Sequence, residues 1–519
     1  MLKLVLGASG SGKTTLLYAR IRARAEAGKR SILLVPEQFT SSTEARIYRE
    51  LGDALSGMVE SYSFTSLAEH ILAALGGAAV QTLTDAGRAV LVRRALEELQ
   101  DNVHYYYRHR RSAAFCQMAA ETIDELKSAG LSGQQLQELA RDCGTESAKL
   151  GELALIFQGY ESLLAGTGMD PADRLELAAD RLEAALARDE LPDFLREREV
   201  FIDEFDTFNA PKKRLMGAML AALPAVTVAL CEDGAPMQPG DLELFSGAKQ
   251  VAAQLRQLAR KNGAQVAAPE LLRRDLRHKE APGLAALTEL LETGSCTPPE
   301  SAPELRLFAA ASREEEARCA AAAIRRLMRQ GVRCGKIAVV CRDISLYRAA
   351  VRYEFRMAEI PLYCDEPTTP EFSAPATAVR ALLALLRGAD MTEQLTVLAK
   401  TGLCDLTEPE VCALENYAYT WSPNAAAWRA EFTKSPRGFG DAELTEEDTQ
   451  NLTRAENARK KLVTAVDTLR GKVRSANAEQ ISRALYFCLK ELGAEGQQAV
   501  QVEDIRAARG IPAAEEAAR

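Results

Sequence analysis

Short uninterrupted runs of apolar residues alternate with long helical patterns along the first part of the chain. Such runs occupy residues 4–6, 32–35, 200–202 and 226–230. Runs of this kind are typical of strands that are buried on both faces of a parallel sheet. Between residues 66 and about 187, apolar residues recur instead at the spacing of a helix. The pattern therefore predicts an α/β fold in which a helical insertion of roughly 130 residues interrupts one parallel-sheet domain.

The hydrophobic pattern predicts a second, similar unit after a proline-containing linker at residues 297–303. Residues 305–308 and 336–340 are expected to form strands on either side of an amphipathic helix at 314–329, and the pattern becomes helical again after Pro370. We therefore predict consecutive segments with different architectures. They are the start of a first sheet domain (1–65), its helical insertion (66–196), its remainder (197–299), the start of a second sheet domain (300–368) and a second helical insertion (369–519).

The first predicted strand leads directly into a glycine-rich motif. The motif matches G-x-x-x-x-G-K-[ST], a loop that holds phosphates between a strand and a helix. In such a loop the backbone N–H groups surround phosphate oxygens, Lys13 would neutralise the β- and γ-phosphates, and the Thr14 hydroxyl would be a ligand for Mg²⁺. The candidate nucleotide-binding residues are Gly7, Ser9, Gly10, Ser11, Gly12, Lys13, Thr14 and Thr15. The predicted fold class is thus a P-loop NTPase, with ATP and Mg²⁺ as cofactors.

Acidic residues follow the strand predicted at residues 200–202. Asp203 is expected to hold Mg²⁺, and Glu204 to orient or deprotonate the water that attacks the γ-phosphate. Asp206 could compete for the second role or simply add surface charge. A solvated turn is the alternative interpretation of these acids, but the presence of the loop motif favours a nucleotide site.

Composition and charge narrow the class of protein. The chain has 519 residues and a formal net charge of −9, which argues against indiscriminate binding to nucleic acid. No apolar stretch reaches the length of a membrane span. The 11 cysteines are scattered singly, without a C-x-x-C pair, so we expect neither a zinc site nor disulfides. This usage is typical of a protein in the reducing cytoplasm.

Several segments together resemble the AddB/RexB family, whose members are the B-type subunits of bacterial ATP-dependent helicase–nuclease complexes and carry superfamily 1 helicase motifs. The most specific segment is V-P-E-Q-F-T at residues 35–40. Further matching segments lie at residues 63–68, 83–88, 149–154 and 414–417, and at Trp428. The resemblance implies two RecA-like domains with helical insertions and an AddA-type helicase–nuclease subunit as partner. It also implies that the substrate is DNA, as double-stranded ends and single strands, processed for recombinational repair.

The resemblance further implies functional residues outside the glycine-rich loop. Arg342 follows a predicted strand where superfamily 1 proteins direct an arginine at the γ-phosphate, with a surface arginine as the alternative. The DNA-binding residues implied are Gln38, Phe39, Thr40, Phe64 and Thr65. The two phenylalanines would stack on bases and the hydroxyls would contact phosphates, although burial of the rings in the core is equally compatible with the sequence. Glu37 would repel phosphate and is expected to fix its loop instead.

This chain departs from the family pattern at two points. Many members have Asp-Gly-Phe where this chain has Asp203, Glu204 and Phe205, so the acid at position 204 favours ATP hydrolysis here. The family also continues beyond the length of this sequence, and its nuclease domain and iron–sulfur cysteines are expected there, so we assign neither to this chain. Two functions stay open. One is a subunit that hydrolyses ATP while processing DNA, and the other is a DNA-binding scaffold whose ATP site is structural.

Two basic segments have no counterpart among these motifs. Residues 104–111 combine tyrosines with arginines and histidines, which suits contact with a nucleic acid strand or duplex. A solvated helix end with some tyrosines buried is the alternative. The second segment contains Arg273, Arg274, Arg277, His278 and Lys279, and we interpret it as an exposed face.

Overall fold

The chain divides into two compact units, Met1–Leu307 and Phe308–Arg519. The computed structural model describes residues 1–77, 82–235, 244–364, 373–440 and 443–509. Among these residues, no helix is both long and apolar enough to cross a membrane.

The first unit contains a sheet and many helices. Its strands are β1 (Leu2–Gly7), β2 (Ser31–Leu34), β3 (Val59–Tyr62), β4 (Glu199–Ile202), β5 (Ala225–Cys231) and β6 (Glu270–Leu272). Its α-helices are α1 (Lys13–Glu26), α2 (Thr40–Leu51), α3 (Asp53–Ser56), α4 (Phe64–Leu75), α5 (Asp85–Glu98), α6 (Ala113–Ala129), α7 (Gly133–Ala140), α8 (Ser147–Leu164), α9 (Pro171–Ala187), α10 (Ala210–Ala222), α11 (Ser246–Lys261) and α12 (Pro282–Thr293). Short 3₁₀ helices lie at Glu37–Phe39, Tyr107–His109 and Gly144–Glu146.

Helices are the only regular secondary structure in the described part of the second unit. Its α-helices are α13 (Arg313–Arg329), α14 (Ile344–Met357), α15 (Ala374–Leu386), α16 (Met391–Lys400), α17 (Glu408–Trp421), α18 (Ala425–Arg429), α19 (Glu446–Val473), α20 (Ala478–Leu492) and α21 (Ala494–Arg509). A 3₁₀ helix lies at Cys334–Lys336.

The six strands form one sheet in the order β3-β2-β4-β5-β1-β6, and every neighbouring pair is parallel. The predicted parallel sheet is therefore confirmed, and β1, β2, β4 and β5 lie at the predicted apolar runs. The sequence pattern missed β3 and β6. Both are edge strands, and neither is continuously buried, so neither carries an uninterrupted apolar run.

Alternate residues of the central strands face two different cores. Leu4 and Leu6 of β1 pack with α4, α9, α10 and α11 on one face of the sheet. Val5, between them, packs on the other face with residues of α1 and α2. Because both faces are covered by helices, most positions of the central strands are apolar, and two buried exceptions, Glu199 and Thr227, hydrogen-bond to each other at 2.9 Å.

Six helices, α4 to α9, lie between β3 and β4. Residues of α4 and α9 belong to the core beneath the sheet. The helices α5, α6, α7 and α8 contribute a separate core that includes Leu96, Ile123 and Phe157. The insertion therefore has its own hydrophobic interior, joined to the sheet by its first and last helices.

The helix predicted at residues 314–329 is confirmed as α13, but the two strands predicted beside it are wrong. Neither residues 305–308 nor residues 336–340 form a strand in the structure. Leu307 is 99% exposed and Val340 is 90% exposed, so these apolar residues are not buried within a sheet. A parallel strand needs hydrogen-bonding neighbours, and no strand is present in the described part of the second unit. The five-segment division stays a prediction.

Candidate functional site

The glycine-rich loop joins the end of β1 to the start of α1. Gly12 precedes α1 with a φ of +93°, and no described side chain caps the first turn of the helix. The first N–H groups of an uncapped helix have no partner within the helix, and they attract anions. The Lys13 ammonium donates hydrogen bonds to the Gly7 carbonyl at 2.7 Å and to the Ala8 carbonyl at 2.8 Å. The loop therefore places the Lys13 ammonium and the free N–H groups at the start of α1 close together as hydrogen-bond donors.

Close packing beneath the loop requires glycine at position 7. A Cβ atom there would lie 2.4 Å from Ser11 Oγ and 2.7 Å from the Leu272 carbonyl oxygen. Ser11 Oγ is buried and has no hydrogen-bond partner among the described residues. The unpartnered hydroxyl lies beneath the loop, whereas the uncapped start of α1 and the Lys13 ammonium are the donors that fit a phosphate group.

A cavity of about 440 Å³ brings the loop together with the predicted acidic residues. Its lining includes Ser9, Gly10, Gly12, Lys13, Thr14 and Thr15 from the loop. Asp203, Glu204 and Asp206 line the same cavity from the end of β4. Gly7 and Ser11 are buried below the loop and do not line it. The volume is within the range typical of small-molecule sites.

Asp203 and Glu204 have different environments. Asp203 is 5% exposed, and burial raises the pKa of its carboxyl group. Its interaction with the Thr14 side chain and with the Glu204 N–H, at 3.0 Å from Oδ1, offsets part of this rise. Glu204 reaches solvent, yet partial desolvation and the neighbouring Asp203 charge raise its pKa, and Arg46 opposes this. Asp206 is exposed, so its role stays open.

The surroundings of Lys13 shift the pKa of its ammonium group in opposite directions. Burial lowers the pKa of its ammonium group, and the positive charge of Arg277 lowers it further. The Asp203 carboxylate acts in the opposite direction. The cavity thus contains a partly buried cation and a buried anion, an arrangement that suits a phosphate bound together with a metal ion.

Sequence reasoning missed Arg277 as a residue of this cavity and interpreted its segment as an exposed face. The strand β6 pairs with β1, with Leu272 opposite Gly7, and the following segment crosses the loop. The Leu276 N–H donates to the Gly10 carbonyl at 2.9 Å, and Arg277 Nη1 donates to Ser9 Oγ at 3.3 Å. The available signal was the short apolar pair Leu271 and Leu272 before the basic run, which marks a strand end.

Arg46 also lines the cavity and had no signal in the sequence. It lies on α2, and its guanidinium carbon is 4.9 Å from the centre of the Tyr18 ring on α1. The packing of α2 beside α1 brings it to the acidic residues, and this packing depends on contacts between distant segments.

The residues implied in DNA binding differ in their exposure to solvent. Gln38 and Phe39 are exposed, and the side chain of Thr40 lies outside the described residues. Thr65 Oγ1 donates a 2.6 Å hydrogen bond to Glu37, so the expectation that Glu37 fixes its loop is confirmed. Phe64 is 2% exposed and contacts Phe205 and Phe208 at ring-centre distances of 5.3 and 6.0 Å. Of the two interpretations of Phe64, the structure corresponds to burial in the core.

Arg342 belongs to the second unit. Its side chain is exposed and lines a groove with residues such as Glu316 and Tyr347 of the same unit. The role of Arg342 at the γ-phosphate stays a prediction.

The chain is similar to proteins of known family. A family profile described as ADDB, N-terminal, matches residues 4–288. Relatives named as the B-type subunit of an ATP-dependent helicase/deoxyribonuclease are 31% identical in Moorella thermoacetica, 30% in Desulforudis audaxviator and 27% in Clostridium perfringens, over 99%, 96% and 90% of this chain. The alignments cover 46%, 44% and 41% of those relatives, so the chain spans less than half of their length. Because the matching profile covers more than half of its residues, the chain belongs to the AddB family.

Proposed function

We propose that this chain binds ATP with Mg²⁺ and is the N-terminal part of a DNA-processing subunit of a bacterial helicase–nuclease complex. The observation that carries the proposal is the meeting of Lys13, Thr14 and Asp203 around one cavity, although Asp203 is far from the loop in sequence. The relatives are named as components of a helicase/deoxyribonuclease, and this supports the DNA-processing role.

The loop supplies the groups that hold the triphosphate. The Lys13 ammonium exchanges its contacts with the Gly7 and Ala8 carbonyls for phosphate oxygens, and the first N–H groups of α1 donate to the same oxygens. Arg277 adds a second positive charge beside Ser9. Each of these charge-assisted hydrogen bonds is stronger than a neutral one.

The Thr14 hydroxyl and the Asp203 carboxylate are the groups that would hold Mg²⁺, whose charge neutralises the β- and γ-phosphates. Glu204 then accepts a proton from the water that attacks the γ-phosphorus, while the bond to the bridging oxygen breaks and ADP leaves. A raised pKa makes the Glu204 carboxylate a better proton acceptor, provided that it is still ionised at neutral pH.

The proposed DNA contact lies next to the proposed ATP site. Phe39 lines a second cavity together with Thr14, Asp203 and Glu204. Contact between DNA and the Phe39 segment would therefore affect the positions of the residues proposed to hold Mg²⁺. From the family of the chain and the names of its relatives we further propose that an AddA-type subunit is the partner and that double-stranded DNA ends are the substrate, in recombinational repair.

The test is ATP binding and ATP turnover by the purified chain, with and without single-stranded DNA. Lys13→Ala should abolish binding, and Glu204→Gln should retain binding while losing DNA-stimulated turnover. Lys29→Ala, at an exposed lysine just beyond α1, is the matched control and should behave like wild type. Normal ATP binding by Lys13→Ala would overturn the nucleotide assignment. Binding without any turnover in wild type would favour the scaffold whose ATP site is structural.

A further inference from the structure

The segment between α5 and α6 exposes aromatic and basic side chains together. We call residues 104–111 the tyrosine–arginine loop. Tyr105 is 57% exposed and Tyr107 is 36% exposed, and Arg108 and Arg111 are exposed beside them. The loop lies in the helical insertion and does not line the ATP cavity. Large exposed aromatic side chains grouped with cations are typical of binding surfaces.

The backbone of this loop is held in place from below. The carboxylate of Glu152 on α8 accepts hydrogen bonds from the N–H groups of His104, Tyr105 and Tyr106, at 2.8 to 3.1 Å. The Tyr106 ring packs inward, with its centre 5.3 Å from that of Phe115. Because Glu152 and Tyr106 fix the backbone, Tyr105 and Tyr107 are presented on the outside in a defined arrangement, and little ordering is needed when a ligand binds.

One cation lies close to each exposed ring, from the loop itself at Tyr107 and from α8 at Tyr105. The Arg110 guanidinium carbon is 3.7 Å from the centre of the Tyr107 ring, and Lys149 Nζ is 5.9 Å from that of Tyr105. The side chains of Arg108 and Arg111 form no hydrogen bond or ion pair with any residue that the structure describes. By contrast, Arg93 and Arg94 of α5 are paired with Glu97 and Glu98. The loop therefore carries positive charge that the protein itself does not neutralise.

We propose that the tyrosine–arginine loop is a binding site for single-stranded DNA, separate from the residues 38–40 and 64–65 implied in DNA binding by the family resemblance. Tyr105 and Tyr107 stack on bases, and Arg108 and Arg111 contact phosphates. A single strand is favoured over a duplex because bases in a duplex are already stacked on each other and offer no free face to a tyrosine. The choice of DNA rests on the proposed function of the chain, whereas the site itself does not depend on ATP.

Binding of a fluorescent oligothymidylate to the full 519-residue chain, measured by anisotropy, tests the aromatic part. Tyr105→Ala/Tyr107→Ala should weaken binding by at least about tenfold, the loss expected when base stacking on a protein ring is removed. Tyr105→Phe/Tyr107→Phe keeps both rings and should bind like wild type. A thermal melt of each variant checks that the fold is intact. Equal affinity of the alanine variant and wild type would overturn the proposal.

The salt dependence of binding tests the basic part. Each phosphate contact with a single strand adds about 0.7 to the slope of log K against log salt, so Arg108→Ala/Arg111→Ala should reduce its magnitude by about 1.4. Arg93→Ala/Arg94→Ala removes the same charge from the same insertion, but at arginines that are already paired. This control should leave the slope unchanged, and an equal reduction in both double variants would contradict a specific site.

Crosslinking locates the contact independently of other DNA-binding surfaces. An oligonucleotide that contains 5-iodouracil should crosslink to Tyr105 or Tyr107 in wild type and equally in Lys13→Ala, with a blunt duplex competing poorly. Crosslinks confined to other segments would overturn the site while leaving the proposed ATP function intact. Crosslinks at this loop together with a failure of wild type to bind ATP would instead overturn the proposed function alone. If the duplex competed more efficiently than a single strand, the ligand of this loop would be duplex DNA, and the proposal of a single strand would be overturned.

Discussion

The backbone N–H of Glu204 donates a 3.0 Å hydrogen bond to Oδ1 of Asp203, and Glu204 itself has a φ of +64°. The left-handed conformation costs a residue with a side chain about 1–2 kcal/mol. The turn after β4 thus holds one acid in a strained conformation immediately beside a buried one. Strain of this kind is concentrated at functional sites, where the surrounding structure maintains it.

Two substitutions of Glu204 should differ in folding stability while both lose ATP turnover. Glu204→Gly removes the strain, so its free energy of unfolding should exceed that of Glu204→Ala by about 1 kcal/mol, since glycine tolerates a positive φ. Chemical denaturation measures this difference. Both variants should lose ATP turnover if Glu204 accepts the proton from water. An alanine variant as stable as the glycine variant would show that the turn relaxes.

Arg277 should contribute to nucleotide affinity although it is distant from the loop in sequence. Arg277→Ala should weaken ATP binding about 10- to 100-fold, because a hydrogen bond to a charged group is worth about 1.5–3 kcal/mol. Titration calorimetry with ATP and Mg²⁺ measures the change. Arg274→Ala removes an exposed arginine of the same segment that does not line the cavity, and it should bind ATP normally. Equal losses in the two variants would indicate a general charge effect.

Asp203 should reduce the stability of the ligand-free protein. Because burial raises its pKa in the folded state, the ionised carboxylate is unfavourable above that pKa, and the penalty disappears as the pH falls below the pKa of the unfolded chain. In EDTA at neutral pH, Asp203→Asn should therefore melt at a higher temperature than wild type. The difference should shrink on acidification. Mg²⁺ with ATP should raise the melting temperature of wild type and not that of the variant.

Lys127 should stabilise the helical insertion through a buried ion pair. Its ammonium donates to Asp170 at 2.7 Å and to Asp173 at 3.0 Å, and the Tyr160 hydroxyl donates to Asp170 at 2.6 Å. Lys127→Met leaves the Asp170 carboxylate buried without its cation and should lower the free energy of unfolding by about 3–5 kcal/mol, measured by urea denaturation. Lys261→Met, at an exposed lysine, is the control and should change it little.

The same ion pair should be sensitive to alkaline pH. Burial alone would lower the pKa of Lys127, but the hydrogen bond to Asp170 and the charges of Asp173 and Asp170 outweigh it and raise the pKa. The stabilisation is therefore complete below the ordinary pKa of lysine and is lost as the pH rises through the raised value. Wild type and Lys127→Met should therefore converge in stability as the pH rises through that value. A difference that persists unchanged above it would contradict the assignment.

The sequence by itself determined the parts of this protein that depend on local signals. Continuous apolar runs identified β1, β2, β4 and β5, because a strand covered on both faces is buried along most of its length and its residues are therefore mainly apolar. The glycine-rich motif located the start of α1, because its backbone conformation and close packing require glycine at fixed positions. The acidic residues after β4 followed from the same logic, since parallel strands end at one edge of a sheet.

Only the tertiary structure decided which distant residues meet. The pairing of β6 with β1 brings Arg277 to Ser9, and no local pattern encodes that register. The packing of α4 beneath the sheet buries Phe64, whose sequence is equally compatible with an exposed ring. Residues 305–308 and 336–340 are apolar enough for strands but have no neighbouring strand to pair with among the described residues. The hydrophobic pattern indicates which residues a segment can bury. Whether the segment pairs as a strand and is buried depends on which other segments lie beside it in the folded protein.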